Sequence, residues 1–348
     1  MDENFVLGDH VDENSDLYEH FRFVVDKGQS AVRIDKFLTN KIENVSRNRI
    51  QNALIAGNIL VNQTAVKANY KVKPNDLIVI VLTYPPREIV ITPEDIPLNI
   101  VFEDENLLVI NKQADLVVHP GHGNFSGTLL HALANYFLTT NQTIDNGFGY
   151  LVHRIDKDTT GLLLVAKNEL AQTKLAAQFF HHTIERKYQA LVWGDLADDS
   201  GTIEGNIGRS PKDRKLMTVF PEGDSGKEAV THYRVIQRFG YVTLIECQLE
   251  TGRTHQIRVH LKHIGHPLFN DGAYGGDSLV KGTTFTKYRQ FIDNCFKILP
   301  RQALHAKSIG FTHPVSGSKI SFESELPDDI SQVLEKWHTY TNSRHLYS

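Results

Sequence analysis

Cysteine, methionine and tryptophan are scarce in this chain, with two of each in 348 residues. Cys247 and Cys295 form no CxxC pair, which excludes a disulfide framework and a zinc–thiolate site and fits a reducing, cytoplasmic compartment. No apolar run approaches the roughly 20 residues of a membrane helix. No Lys or Arg precedes Arg22, so the acidic start lacks the cationic segment of a secretory signal. GHGNFSG and GAYGG match neither GxGxxG nor a P-loop, so no nucleotide cofactor is expected. The 17 histidines include no HExxH. His181 and His182 are adjacent, and His119 and His122 sit in a Pro-Gly loop without a supporting carboxylate. His260, His263 and His266 follow the spacing of a basic helix face, and no metal site is expected.

What is present is an ordinary globular composition, 41% hydrophobic and 22% charged, of a length that suggests about two domains. The 37 Lys and Arg against 41 Asp and Glu give a net charge of −4, which alone argues weakly against a polyanion partner. The charge is segregated, however. Residues 31–84 carry eight cations against three acids, a local +5 that offers a docking surface for a polyanion.

Apolar spacing predicts a helix over 33–42 and a second one N-capped by Ser46 and ended by Gly57. Strands follow at 59–62 and 77–82, and TYPPRE (83–88) reads as a linker. Beyond it, residues 101–112 read as a hairpin around Asp104-Glu105-Asn106, GLLLVAKN as a strand and 171–185 as a helix. KYQALVWG and 241–250 read as strands, and THQIRVHLKHIGHP as a helix ended by Gly265. Strands outnumber helices without regular βαβ order, so the expected class is α+β with a mostly antiparallel mixed sheet.

HRIDKDTTGLLLVAKN (153–168) sets charge against a buried strand. Asp156 reads either as a surface turn or as a carboxylate held on a rigid element beside Arg154. Asp156 and Asp158 also read, weakly, as a glycosidase-like pair, because i and i+2 project alike in an extended segment. On the helix of TGRTHQIRVHLKHIGHP, His255, Arg258 and Lys262 share a face. That face is either solvated or lets Arg258 reach a buried carboxylate through its planar fork. GRSPKDRKLMTV and NGFGYLVHR mix cations with apolar and aromatic residues, which suits RNA backbone and base contact.

HRIDKDTTGLLLVAKN resembles the HRLDxxTSGLLLxAK signature of the RluA-type pseudouridine synthases, with Ile155 and Thr160 as chemically conservative departures. INKQADLVVHPG, RKYQALVWG, IGRSPKDRKLMTV, GKEAVTHYRV and ETGRTHQIRVHL are similar to further motifs of that family in the same order. RIDKFL, SRNRIQNALIAGNILVN and VKPNDLIVI resemble an S4 RNA-binding domain, a combination that looks most like the branch acting on large-subunit rRNA. Composition makes residues 1–20 an acidic disordered tail, and the resemblance adds an S4-like α/β domain over 21–85, a linker over 86–97 and a synthase domain over 98–340. It implies isomerisation of uridine in RNA, with 23S rRNA the expected target; the expected enzyme is a cytoplasmic monomer without metal or cofactor. Asp156 is then the catalytic aspartate, Tyr188 the residue against the uracil, Arg258 the partner of the aspartate and Arg154 the residue that displaces the nucleotide. Arg47, Arg49, Lys67, Lys71, Lys73, Arg209, Lys212, Arg214 and Lys215 are the expected RNA contacts. An RNA-binding protein with an inactive synthase domain, or a hydrolase of N-glycosidic bonds using Asp156 and Asp158, are the alternatives.

Overall fold

A computed structural model describes residues 18–42, 45–82, 91–121, 124–144, 148–213 and 215–345. The N-terminal module contains β1 (Tyr18–Val24), α1 (Ile34–Lys41), α2 (Arg47–Ile55), β2 (Ile59–Val61), β3 (Thr64–Ala65) and β4 (Leu77–Leu82). Its four strands form an antiparallel sheet in the order β1-β4-β2-β3. The apolar positions that predicted the helices, Ile34, Phe37, Leu38, Ile50 and Leu54, pack on Ile59, Ile78 and Ile80. Ser46 Oγ accepts from the Arg49 N–H at 3.3 Å, the expected cap. β1 already begins at Tyr18, so residues 18–20 are strand rather than tail, because Tyr18 and Glu19 pair with Leu82 and Val81. The rest of the expected tail lies outside the described residues.

The TYPPRE stretch also lies outside them. Residues 91–97 are irregular but do not span free solvent: Ile91 and Ile96 pack on the main core of the larger domain, and the Glu94 carboxylate accepts from the Gly127 N–H at 3.0 Å.

The larger domain follows as β5 (Ile100–Glu103), β6 (Leu107–Lys112), α3 (Leu129–Thr139), β7 (Tyr150–Leu151), β8 (Thr160–Ala166) and α4 (Glu169–Phe180). Next come β9 (Glu185–Trp193), β10 (Ser200–Glu204), β11 (Asn206–Arg209), β12 (Met217–Phe220), β13 (Val230–Arg238), β14 (Val242–Leu249) and α5 (Gln256–His263). The chain finishes with α6 (Thr286–Ile298), β15 (Leu304–Thr312), β16 (Lys319–Glu323) and α7 (Asp328–His345). Ten strands make one sheet in the order β10-β13-β14-β9-β15-β8-β6-β5, with β16 on β15 and β7 on β8; β11 and β12 form a separate hairpin. Among the described strands of the large sheet, only β15 and β8 run parallel, so the α+β, mostly antiparallel reading holds.

The apolar run of β8 is buried on both faces. Leu163 and Val165 join the core under α3, while Leu162 and Leu164 join the core under α4, which explains why the run lacks alternation. The helix read over 171–185 starts at Glu169, capped by Asn168, and stops at Phe180. His182 takes a left-handed φ of 55° and Glu185 opens β9.

Candidate active site

The ladders beside β8 leave a gap on one edge. β15 pairs only with Thr160 and Gly161, and β7 only with Val165 and Ala166. The Leu164 N–H falls between them, and His153 Nε2 accepts it at 2.8 Å. Burial pushes the His153 pKa down to about 3, with Arg186 adding to the shift, so the ring stays a neutral acceptor. The first residue of the HRID stretch is thus a plug in the sheet. Ile155 is buried in the main core, while Arg154 and Asp156 border a cavity of about 410 Å³. The next residues turn sharply, with the Thr159 N–H donating to the Asp156 carbonyl at 3.1 Å. This segment is a turn and not extended, and Asp158 borders the same cavity as Asp156.

Asp156 meets Arg258 from α5. Arg258 Nη1 donates to Asp156 Oδ2 at 2.9 Å, while Nε and Nη2 both donate to Asp271, each at 2.8 Å. The bidentate fork is therefore on Asp271, fully buried, and Asp156 receives the remaining edge of the guanidinium. This corrects the expectation of a fork on the catalytic carboxylate. Tyr274 lies flat against the cation, its ring centroid 4.9 Å from Arg258 Cζ. Burial alone would raise the Asp156 pKa, but the neighbouring His255 and Arg258, the Arg258 hydrogen bond and Arg154 together hold it below the usual carboxylate value. Of these, Arg258 and Arg154 are the ones that act at neutral pH. Burial lowers the pKa of His255 itself, leaving its imidazole neutral there.

His255 stands at the N-cap of α5 with a left-handed φ of 56°. Its Nδ1 is 2.7 Å from the Tyr274 hydroxyl, which accepts from the Met217 N–H at 3.1 Å. The other ring nitrogen, Nε2, lies 3.9 Å from Asp156 Oδ1. Below the turn, Lys112 ends β6 almost wholly buried, its Nζ donating to the carbonyls of Gln113, Leu116 and Lys157 at 2.8, 2.9 and 2.8 Å. Burial pushes its pKa down to about 7 against the pull of Asp156 and Asp158.

The cleft sets Asp156 and Asp158 beside Arg154, Lys157, His255 and Arg258, a charged wall suited to chemistry on a base flipped out of its stack. Comparison with known proteins gives the family. The family model described as RNA pseudouridylate synthase matches residues 106–263, and that of the S4 domain matches residues 32–78. An RNA pseudouridine synthase of Chlorobaculum parvum is 45% identical over 318 residues, covering 90% of this chain and 97% of the relative. The chain belongs to the RNA pseudouridine synthases. The ribosomal large subunit pseudouridine synthase D of Nitrosomonas europaea is 44% identical over 306 residues (88% and 84% covered), and that of Escherichia coli K12 is 40% identical over 313 (89% and 92%). Human RNA pseudouridylate synthase domain containing 4 shares the fold, with a TM-score of 0.53 at 22% identity over 69% of this chain and 93% of that one.

Within this pseudouridine synthase the sequence-expected residues divide. Asp156, Arg154 and Arg258 meet at the cleft. Tyr188, on β9 between Cys247 and Ala306, is 7% exposed and belongs to the main core rather than to the open cleft wall. Burial raises its pKa and Asp156 adds to that, against Arg186, so the hydroxyl keeps its proton. Arg47 is exposed but already engaged. With Arg33 and Gln51 it holds the fully buried Asp35, its Nη2 donating at 2.9 Å. Arg49 lies 3.8 Å from Glu169 of α4. Lys67, Lys71, Lys73, Lys212 and Lys215 are exposed, Arg209 is half-buried in β11, and Arg214 lies outside the described residues.

The basic-face reading of α5 also fails for His260, which is fully buried and 2.9 Å from the Thr231 hydroxyl. Asp271, Tyr274 and Lys112 are the site residues that sequence reasoning missed, while His255 was placed only on the basic face of the helix. A lysine closing the apolar run LLVIN was the one local signal; Asp271 and Tyr274 look like ordinary loop residues in FNDGAYGG.

Proposed function

We propose that Asp156 acts on C1′ of a uridine flipped out of large-subunit rRNA, the target named for the relatives above. The observation that carries this is the charge chain Asp271–Arg258–Asp156 at the cleft. It keeps one carboxylate ionised and oriented next to a space open to solvent. An ionised, strongly paired aspartate is a poor proton acceptor, which favours attack at the sugar or stabilisation of positive charge there as the N1–C1′ bond breaks. The base then turns and rejoins through C5, so that C5 loses a proton and N1 gains one. Tyr188 offers a flat apolar face to the uracil once the cleft opens to it, and Arg154 fills the gap left in the RNA stack. Arg49, Lys67, Lys71, Lys73, Arg209, Lys212, Arg214 and Lys215 supply backbone contacts, with an N-terminal RNA-binding domain over 21–85 and a synthase domain over 98–340. We take the enzyme to act as a cytoplasmic monomer without metal or cofactor.

The test is pseudouridine mapping of 23S rRNA from cells lacking the protein, after incubation with wild-type enzyme, Asp156→Asn or Asp158→Asn. Wild type and Asp158→Asn should restore specific pseudouridines and Asp156→Asn none. Release of free uracil, with equal losses in both variants, would favour a hydrolase. No product from wild type, despite binding, would favour an inactive domain.

A further inference from the structure

We propose that Arg301, anchored by Asp329, is a positioning residue that sets the angle at which Asp156 meets the target sugar; this rests on the role of Asp156 given above. Arg301 lies between α6 and β15, outside every motif of the sequence reading, and is 7% exposed. Its Nη1 donates to the Asp158 carbonyl at 2.9 Å and to the carbonyls of Gln302 and Leu304 at 3.3 Å each. Nη2 is also 3.5 Å from the Thr160 hydroxyl. The other edge of the guanidinium is held in a fork by Asp329, Nε to Oδ2 at 2.8 Å and Nη2 to Oδ1 at 2.9 Å. Asp329 belongs to the first turn of α7, so the C-terminal helix reaches the catalytic turn through one side chain.

The effect is on the backbone that carries Asp156. The carbonyls of residues 156, 157 and 158 are all occupied: the first by the Thr159 N–H, the second by Lys112 Nζ and the third by Arg301. Two of these three donors, Lys112 and Arg301, are buried side chains reaching in from outside the turn. Rotating the peptide plane of residue 157 or 158 would break a hydrogen bond to the buried Lys112 or Arg301 side chain. The same guanidinium joins the turn to the start of β15, the strand that runs parallel beside Thr160 and Gly161. Arg258 holds the Asp156 carboxylate directly, and Arg301 holds the turn that follows it through the Asp158 carbonyl. Reacting atoms must sit near 3 Å in line, and a displacement of about 1 Å costs roughly a hundredfold in rate.

The experiment compares Asp329→Asn, Asp329→Glu and Arg301→Lys in the full chain, with turnover and KM on one 23S rRNA fragment and the folded fraction from thermal melts at the assay temperature. The positioning role predicts that turnover per folded enzyme falls roughly tenfold in Asp329→Asn and roughly a hundredfold in Arg301→Lys, with KM within about twofold of wild type. Asp329→Glu, which keeps the charge, should recover most of the loss. Unchanged turnover per folded enzyme, a rise in KM alone, or a loss that merely tracks the unfolded fraction overturns the proposal. Inactivity of the wild type on the same fragment would instead count against the function of Asp156.

Discussion

Arg258 has three hydrogen-bonding edges to divide between two carboxylates, and the division matters. Its fork is committed to Asp271, so the single Nη1 contact to Asp156 is set by how firmly Asp271 holds the rest of the group. A lysine keeps the charge but can serve one carboxylate at a time. Arg258→Lys should therefore lower turnover by roughly a hundredfold, about 2.7 kcal/mol of transition-state stabilisation, with a smaller loss of RNA affinity. Single-turnover kinetics and a binding isotherm on one fragment check this, and a wild-type rate would sink it. Asp271→Asn leaves a buried cation half-compensated and should cost about 3 kcal/mol of stability in urea unfolding.

The titration of Asp156 follows from the same geometry. Its pKa is held below the ordinary 3.8, so the carboxylate is ionised in the free enzyme throughout the range from pH 5 upward. The acid limb of kcat/KM should lie below about pH 4, since the active form is lost only as pH falls through the depressed value. His255, neutral near pH 7, should add no limb between pH 7 and 8. A limb at pH 5–6 that moves in His255→Gln would show that the imidazole carries charge in the working enzyme.

At the scale of elements, the site depends on how closely β8 approaches β15. Gly161 has a φ of +110°, and a Cβ there would lie 2.3 Å from the Ala306 carbonyl oxygen. The parallel register His305–Thr160 and Ala306–Gly161 cannot survive that clash. Gly161→Ala should destabilise the fold by more than about 2 kcal/mol, through strain at positive φ and overpacking together. Equilibrium unfolding measures it, and a variant as stable as wild type would mean that the two strands have room to separate.

For the whole molecule the question is what the N-terminal module does for the larger domain. The two touch through α2 and α4: the ring of Phe180 lies against Gly57, where a Cβ would fall 2.4 Å away, and Arg49 faces Glu169. Both members of that ion pair are about half exposed, so it contributes little stability. Phe180 is itself 43% exposed and the larger domain has its own cores, so a chain starting near residue 90 should fold. Because a pocket for uridine distinguishes little among uridines, selectivity has to come from contacts elsewhere on the RNA. Losing Lys67, Lys71 and Lys73 should weaken binding to an rRNA fragment and make the slope of log affinity against log salt shallower by roughly 2 to 3. Identical slopes for the two folded proteins would exclude the module as electrostatic anchor.

What the sequence determined by itself was local or repetitive. The helices of the N-terminal module follow from apolar spacing and the Ser46 cap, and the hairpin at Asp104 from its turn residues. β8 follows from an unbroken apolar run. Asp156, Arg154 and Arg258 were legible because the HRID and THQIR stretches resemble motifs of the RluA-type synthases; their charge pattern alone left each open. Tertiary structure decided everything that depends on which distant segments meet. Asp271 and Asp156 lie on either side of Arg258 only because α5 is folded back against the turn. Arg47 joins Arg33 and Gln51 on Asp35 only because the fold buries that carboxylate between them. Lys112 and Arg301 serve carbonyls that chain order places 45 and 143 residues away. Hydrogen-bond demand in a buried backbone is set by the gaps between strands, and a linear sequence does not contain those gaps.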